Sequence, residues 1–255
     1  MVYSIAAPRR LDPATGTLHS SVIKPIGAAY TARTVDFQTG EIFPVTIEPA
    51  SPEEIRDTVK VMGGEDWRLW IEALRREGLL AKDALTVAFS YIGPAFTAPI
   101  YRDGTIGKAK EHLEATAREL DRELAPAGGR ALVSVNKALV TRASAVIPAV
   151  PLYIAVLYKV MKARGLHESC LQQELRLFGD FLYDGRAPSV DQLGRIRLDD
   201  REMRADVQEE VSRLMAQVNS QNIESLSDIA GFREEFLRHH GFGRPDVDYA
   251  AQVQP

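Results

Sequence analysis

Leu85-Thr-Val-Ala-Phe-Ser-Tyr-Ile-Gly-Pro-Ala-Phe-Thr-Ala-Pro-Ile-Tyr101-Arg-Asp-Gly-Thr-Ile-Gly-Lys-Ala-Lys110-Glu-His-Leu113 decides the fold. The apolar run Leu85 to Phe89 reads as a buried strand, and Gly93-Pro94 cannot continue a sheet. Ser90 and Tyr91 therefore sit at the strand's C-terminal edge, the side on which open α/β sheets bind ligands. Beyond it come Tyr101, Gly104, Gly107 and then Lys110, the last at the start of a long helix-forming run.

Outward from this stretch the pattern alternates between helix and strand. A helix from about Ile106 to Leu124 carries Ala109, Leu113, Ala117 and Leu120 on one stripe, and Pro126 with Gly128-Gly129 ends it. Ala131-Leu-Val-Ser-Val is a second buried strand, with Lys137-Ala-Leu-Val-Thr-Arg-Ala-Ser at its C-terminal edge. From Pro151 to Lys162 the chain is apolar almost all round, the mark of a central core helix; lining an acyl-chain tunnel would ask for the same residues. From Glu168 onward the pattern is helical over 168–183, 203–219 and 220–239. The charged segment 191–201 between the first two reads as a loop with a solvated face, and Asp199-Asp200 as a surface pair.

Upstream, Met1 to Arg9 reads as the tail of a buried strand followed by a loop, and residues 7–33 as an extended polar loop. Thr34-Val-Asp-Phe and Gln38-Thr-Gly-Glu-Ile-Phe-Pro-Val-Thr-Ile form a hairpin with Gly40 at the turn. Ser51-Pro-Glu-Glu starts a helix with an N-cap serine, proline at its first position and acids in its first turn. That helix ends at Gly63-Gly64, and a second, Glu65 to Arg76, places Trp67, Trp70, Ile71 and Leu74 at helical spacing, with the tryptophans in the core. The expectation is one domain over 1–255: loop and hairpin over 7–50, an α/β part over 51–165 and a helical part over 166–255.

Composition sets further bounds. With 255 residues, 45% of them hydrophobic, the chain can bury a sizeable core. A net charge of −4 gives no electrostatic case for nucleic acid. The single cysteine, Cys170, precludes an internal disulfide, fits a reducing compartment and is expected to be a small buried apolar residue. No signal peptide or membrane span is legible, so a cytoplasmic protein is expected. The five histidines are scattered. His239-His240 suits a helix end, and His112 and His167 lack partners at ligand spacing, so no metal is expected. Ser90 and Ser144 lack the nucleophile elbow of a serine hydrolase.

Nine residues separate Tyr101 from Lys110, about two and a half helical turns, so the two could meet only with Tyr101 outside the helix. Pro99 and Gly104 allow that. An ammonium near a tyrosine stabilises the phenolate and makes the phenol a readier proton donor. The spacing alone favours the plainer reading, an interfacial aromatic and a solvated helix lysine.

Several motifs resemble one family, the monomeric trans-2-enoyl-CoA reductases and their kin, the NADH-dependent enoyl-acyl-carrier-protein reductases. They are Ser90-Tyr-Ile-Gly-Pro94, the Tyr101-x8-Lys110 signature, Gly104-Thr-Ile-Gly-Lys-Ala-Lys110, Ser134 to Ser144, Val59 to Trp67, Pro151-Leu-Tyr153, and Gly241-Phe-Gly with Val247-Asp-Tyr249. The resemblance runs from Tyr3 to the C-terminus. It implies a Rossmann-like, short-chain-dehydrogenase-like parallel sheet with added C-terminal helices. It further implies NADH as cofactor, an enoyl thioester of acyl-carrier protein or CoA as substrate, acyl-carrier protein as a possible partner, and a monomer at full length. By the same resemblance Tyr101 is the proton donor, Tyr91 contacts substrate, and Lys110, Leu139, Val140, Thr141, Ile5 and Ala6 contact the cofactor.

One departure stands out. The chain has no G-x-G-x-x-G; Gly104-x-x-Gly107 is the nearest approach. The expectation is a C-terminal part whose N-terminal βαβ half is missing, inactive alone, with sheet edges open to aggregation. The alternative is a non-enzymatic remnant, or a fragment completed by a separately encoded N-terminal chain. A tyrosine–lysine alcohol dehydrogenase would need the pair one helical turn apart, which the x8 spacing opposes.

Overall fold

In the computed structural model, which describes residues 1–252, the buried strand read from Leu85 to Phe89 lies in the middle of a parallel sheet. The elements run β1 (Val2–Tyr3), β2 (Arg9–Leu11), β3 (Leu18–Ser20), β4 (Tyr30–Val35), β5 (Ile42–Ile47), α1 (Pro52–Met62), α2 (Glu65–Arg76), β6 (Leu85–Ser90), α3 (Thr105–Leu124) and β7 (Arg130–Val135). Then follow α4 (Val150–Ala163), α5 (Cys170–Arg176) running into a π-helical turn (Leu177–Leu182), β8 (Arg195–Arg197), α6 (Ala205–Gln217), α7 (Ile223–Leu226) and α8 (Ile229–His239).

Two compact units result. The first comprises Met1–Thr31, Thr46–Ala138 and Leu171–Asp200, and the second Ala32–Val45, Leu139–Cys170 and the chain from Arg201. In the first, the strands lie in the order β1-β6-β7-β8, every neighbouring pair parallel. Successive side chains of a strand point to opposite faces, and the cores follow that period. Ala88 and Val133 pack with Tyr3, Trp67, Ile71, Leu113 and Leu120 on the face carrying α2 and α3. Val87 and Leu132 pack with Leu177, Leu182, Ile196 and Leu198 on the other. Trp67 is fully buried, stacked on Tyr3 at 5.8 Å, and donates from Nε1 to Thr86 Oγ1 at 2.9 Å. Trp70, expected beside it in the core, is exposed, because the buried stripe of α2 is Trp67 and Ile71.

The helix start at Ser51 is a full capping box: Ser51 Oγ accepts from the Glu54 amide at 3.1 Å and the Glu54 carboxylate from the Ser51 amide at 2.8 Å. The hairpin of β4 and β5 turns at Gly40, whose φ of +83° a side chain would resist.

Four further expectations need correction. Residues 7–33 are not all loop: β2 and β3 pair antiparallel, Arg9 opposite Ser20. The Asp12 carboxylate accepts from the Ala14 amide at 2.8 Å, and Gly16 takes a φ of +70°, so turn chemistry prevailed over polar composition. The charged segment 191–201 contains β8, which pairs with β7. Ile196 and Leu198 are fully buried, while Arg195 and Arg197 on the alternate positions are held by Glu114, Asp191 and Asp199. Asp199 is accordingly buried rather than a surface group; Asp200 alone is exposed, paired with Arg176 at 3.0 Å. Cys170 is partly exposed at the start of α5, not a core residue.

The second unit is built around α4, in which eleven of the fourteen residues are buried, as its near-continuous apolar character requires. Asp228 caps α8 by accepting from the Gly231 amide at 3.2 Å, and Arg33 reaches the Val218 carbonyl at 2.7 Å. Among the described residues no helix is long and apolar enough to cross a membrane.

Candidate active site

The site grows from the link between β6 and α3. After Ser90 the chain turns at Gly93, with a φ of +73°, and passes through a short helical turn, Ala95–Thr97. Fully buried Ile100 anchors the segment. The Tyr101 amide donates to the Thr97 carbonyl at 3.0 Å, and the Tyr101 carbonyl accepts from the Gly107 amide at 2.8 Å and the Gly104 amide at 3.2 Å. Tyr101 thus lies in the turn before α3, outside the helix, as Pro99 and Gly104 allow.

Gly107 is required for this. A Cβ there would collide with the Arg102 carbonyl and come within 2.8 Å of the Tyr101 carbonyl. Gly104 is similar, a Cβ meeting the carbonyls of Lys24 at 2.7 Å and Ile100 at 2.8 Å. Thr105 completes the start of α3, its hydroxyl donating to the Val22 carbonyl at 2.5 Å and its amide to the Lys24 carbonyl at 3.0 Å.

Tyr91 and Tyr101 meet edge to face, ring centroids 5.0 Å apart at 87°. The Tyr101 hydroxyl forms no hydrogen bond with the described residues. Lys110, one and a half turns into α3, donates from Nζ to the Phe89 carbonyl at 3.1 Å, next to the C-terminal end of β6. Tyr91, Tyr101 and Lys110 are all half-buried. Burial pushes the Tyr101 phenol up to about 12, the opposite sense from a lysine's influence alone. Burial also lowers the Lys110 ammonium to about 8, against a smaller upward pull from Glu114.

Ile5 and Ala6 follow β1, whose Tyr3 is in register with Ala88, so they continue beside the end of β6. Ile5 packs against the core and Ala6 is exposed. Leu139, Val140 and Thr141 belong to the second unit, where they form a tight turn: the Thr141 amide donates to Ser144 Oγ at 2.8 Å, and Ser144 Oγ donates to the Leu139 carbonyl at 2.7 Å. The Val140 amide donates to the Tyr158 hydroxyl at 3.1 Å.

Two groups escaped the sequence reading as parts of a site. Ser90 Oγ is buried without a partner at the carboxyl end of β6; its place just before Gly93-Pro94 was the available signal. Lys137 is fully buried just past β7, its Nζ donating to the Ala138 carbonyl at 2.9 Å. A lysine inside an apolar run could have marked it. The histidines have other tasks. His112 Nδ1 accepts from the Gly64 amide at 3.0 Å, satisfying a free amide at the start of α2. His167 faces Glu235 at 3.0 Å, and His240 the Phe236 carbonyl at 2.8 Å. No metal-ligating cluster occurs among the described residues.

The molecule is an α/β protein in which a tyrosine in the turn before α3 packs on Tyr91 and a lysine on α3 bonds the Phe89 carbonyl, both next to the carboxyl end of β6. A family model described as "Trans-2-enoyl-CoA reductase catalytic region" matches residues 1–183, and one described as "Enoyl reductase FAD binding domain" matches residues 190–253. The chain belongs to the trans-2-enoyl-CoA reductase catalytic-region family. It is 56% identical over its whole length to an enoyl-[acyl-carrier-protein] reductase [NADH] of Opitutus terrae, covering 65% of that protein. A Coxiella burnetii protein of the same name is also 56% identical, and the chain covers 63% of it. The chain therefore spans a little under two thirds of the length of these relatives. The fold superposes with a TM-score of 0.94 on the Treponema denticola trans-2-enoyl-CoA reductase in complex with NAD, at 54% identity, covering 99% of this chain and 63% of that one. A Clostridium acetobutulicum trans-2-enoyl-CoA reductase in complex with NADH gives 0.96 at 47% identity, covering 99% and 64%.

Proposed function

We propose that these residues serve the NADH-dependent reduction of the 2,3 double bond of an enoyl thioester, of acyl-carrier protein or CoA, in fatty acid synthesis, with Tyr101 as the proton donor. The observation that carries the reading is the Tyr101 hydroxyl, held beside Tyr91 with no hydrogen-bond partner of its own among the described residues. The relatives' names, with NADH and enoyl thioesters in them, support it.

The residues fit the nicotinamide end of such a cofactor. Lys110 offers a cation beside the strand edge, and Ser90 a buried hydroxyl still without a partner there. When bound, NADH supplies the hydride, which adds to the β-carbon of the substrate. The electron pair of the double bond then moves toward the thioester oxygen, and a phenol hydrogen bond stabilises the charge as it develops. Tyr101, with its phenol at about 12, is fully protonated near neutrality and gives up a proton to the resulting enolate. Solvent restores the phenol, and the products are the saturated thioester and oxidised cofactor. Tyr91 packs against the donor and borders the substrate, Lys110 holds the ribose, and Leu139, Val140, Thr141, Ile5 and Ala6 border the cofactor.

No G-x-G-x-x-G occurs among the 255 residues. A glycine-rich loop at a helix start supplies much of the grip on a dinucleotide pyrophosphate, so these residues alone should bind NADH weakly and turn over slowly or not at all. The second reading is a fragment completed by a separate chain bearing that loop, or a non-enzymatic remnant. NADH oxidation with crotonyl-CoA tests the proposal on this chain and on one preceded by a relative's glycine-rich unit. Activity confined to the extended chain and lost in Tyr101→Phe supports it. Activity in the short chain overturns the need for the glycine-rich unit. Inactivity of both favours the remnant.

A further inference from the structure

A buried polar relay in the second unit ends on the backbone of the turn Leu139–Thr141. Asp228, the cap of α8, fixes that helix against α4 in two ways: its amide donates to the Ala155 carbonyl at 2.8 Å, and its carboxylate pairs with Lys162 at 2.6 Å. On α4, Ala155, Tyr158 and Lys162 share a face, three and four residues apart. Glu235 lies about two turns along α8 from Asp228, on the same face of its helix. The docking therefore brings Glu235 to Tyr158, whose hydroxyl lies 2.9 Å from Glu235 Oε2. His167 Nε2 sits 3.0 Å from Glu235 Oε1, and its ring meets that of Tyr158 at 4.4 Å, edge to face.

The direction of the relay follows from its ends. The Val140 amide can only donate, so the Tyr158 oxygen accepts from it at 3.1 Å. The phenolic proton is then left for the Glu235 carboxylate, which holds it in one orientation. Val140 and Tyr158 are both fully buried, so water cannot replace the phenol. An amide left bare there carries a full desolvation penalty.

We propose that Tyr158, oriented by Glu235, is the positioning residue that pins the Leu139–Thr141 backbone in the conformation that receives the cofactor. The inference rests on the reading above that this turn contacts NADH; Tyr158 itself touches neither cofactor nor substrate in it.

Hydrogen–deuterium exchange of the 139–141 amides, with and without NADH, on the chain preceded by a relative's glycine-rich unit tests it, alongside the NADH dissociation constant. In Tyr158→Phe the Val140 amide should exchange faster and the dissociation constant rise roughly five- to tenfold, the worth of one hydrogen bond. Glu235→Gln, which keeps an acceptor for the phenol, should stay near the parent, while Glu235→Leu should copy Tyr158→Phe; this pair carries the test if Tyr158→Phe does not fold. Unchanged exchange or unchanged NADH affinity in both Tyr158→Phe and Glu235→Leu, with the parent's turn protected by NADH, overturns the inference alone. An extended parent that binds NADH without protecting the turn overturns the assignment of the turn to the cofactor, and the inference with it; an extended parent that does not bind NADH overturns the proposed function on which both rest.

Discussion

The Tyr101 carbonyl accepts the Gly107 amide at 2.8 Å, closing the turn that carries the phenol onto the first turn of α3. The position of the proposed proton donor is thus set by a residue with no side chain. Gly107→Ala should force the Arg102 carbonyl aside, displacing Tyr101. The expected outcome is a stability loss of about 1–3 kcal/mol and a fall in kcat out of proportion to it. Thermal unfolding and steady-state rates on the same preparation check both.

Tyr101→Phe removes the hydroxyl and keeps the ring that packs on Tyr91. In the chain preceded by a relative's glycine-rich unit, the rate of enoyl thioester reduction should fall about 10²–10⁴-fold, the usual worth of a positioned acid. NADH affinity and thermal stability should stay close to the parent. A rate within threefold of the parent would remove Tyr101 from the proton-donor role.

Lys110 carries the pH dependence. Its ammonium loses its proton as pH rises through about 8, so NADH affinity should decline across pH 7–9. Lys110→Met should bind roughly tenfold more weakly at pH 7, the scale of a charge-assisted hydrogen bond, with a flat profile. Stability moves the other way. The folded-state value lies below the ordinary 10.5, so between about 8 and 10.5 the unfolded chain holds a proton the folded chain has released. Stability from this group therefore rises with pH over that window, and its penalty is full below about 8. At pH 7, Lys110→Met should unfold at a higher temperature than the parent, and calorimetry at pH 7 and 9 reads the difference.

Ser51→Ala removes one half of the capping box on α1. About 1 kcal/mol of stability should be lost, a fall of roughly 2–4 °C in the thermal midpoint. NADH affinity should not change.

Much of the fold was legible because its signals are local. Gly93-Pro94 marks the end of β6, Ser51-Pro-Glu-Glu the start of α1, and Gly40 the hairpin turn, each through backbone geometry or capping within a few residues. β8 escaped because arginines and aspartates outnumber the apolar residues there, and the two that matter, Ile196 and Leu198, declare themselves only at period two. Trp70 was misplaced because helical spacing permits a wider stripe than α2 buries. Pro99 and Gly104 allowed Tyr101 to lie outside its helix, but its phenol could not be placed at about 12, since burial is set by what surrounds it.

The residues alone determined the helices and strands around the site, the glycines its turns need, and the tyrosine and lysine it presents, because propensity, capping and steric exclusion act between near neighbours. Tertiary structure alone decided which face of α2 is buried, that Asp199 is enclosed with Arg197, and that Glu235 reaches Tyr158 across 77 residues of sequence. Those outcomes depend on how elements distant in the chain dock and on how much water they exclude, and neither quantity is written in any local stretch.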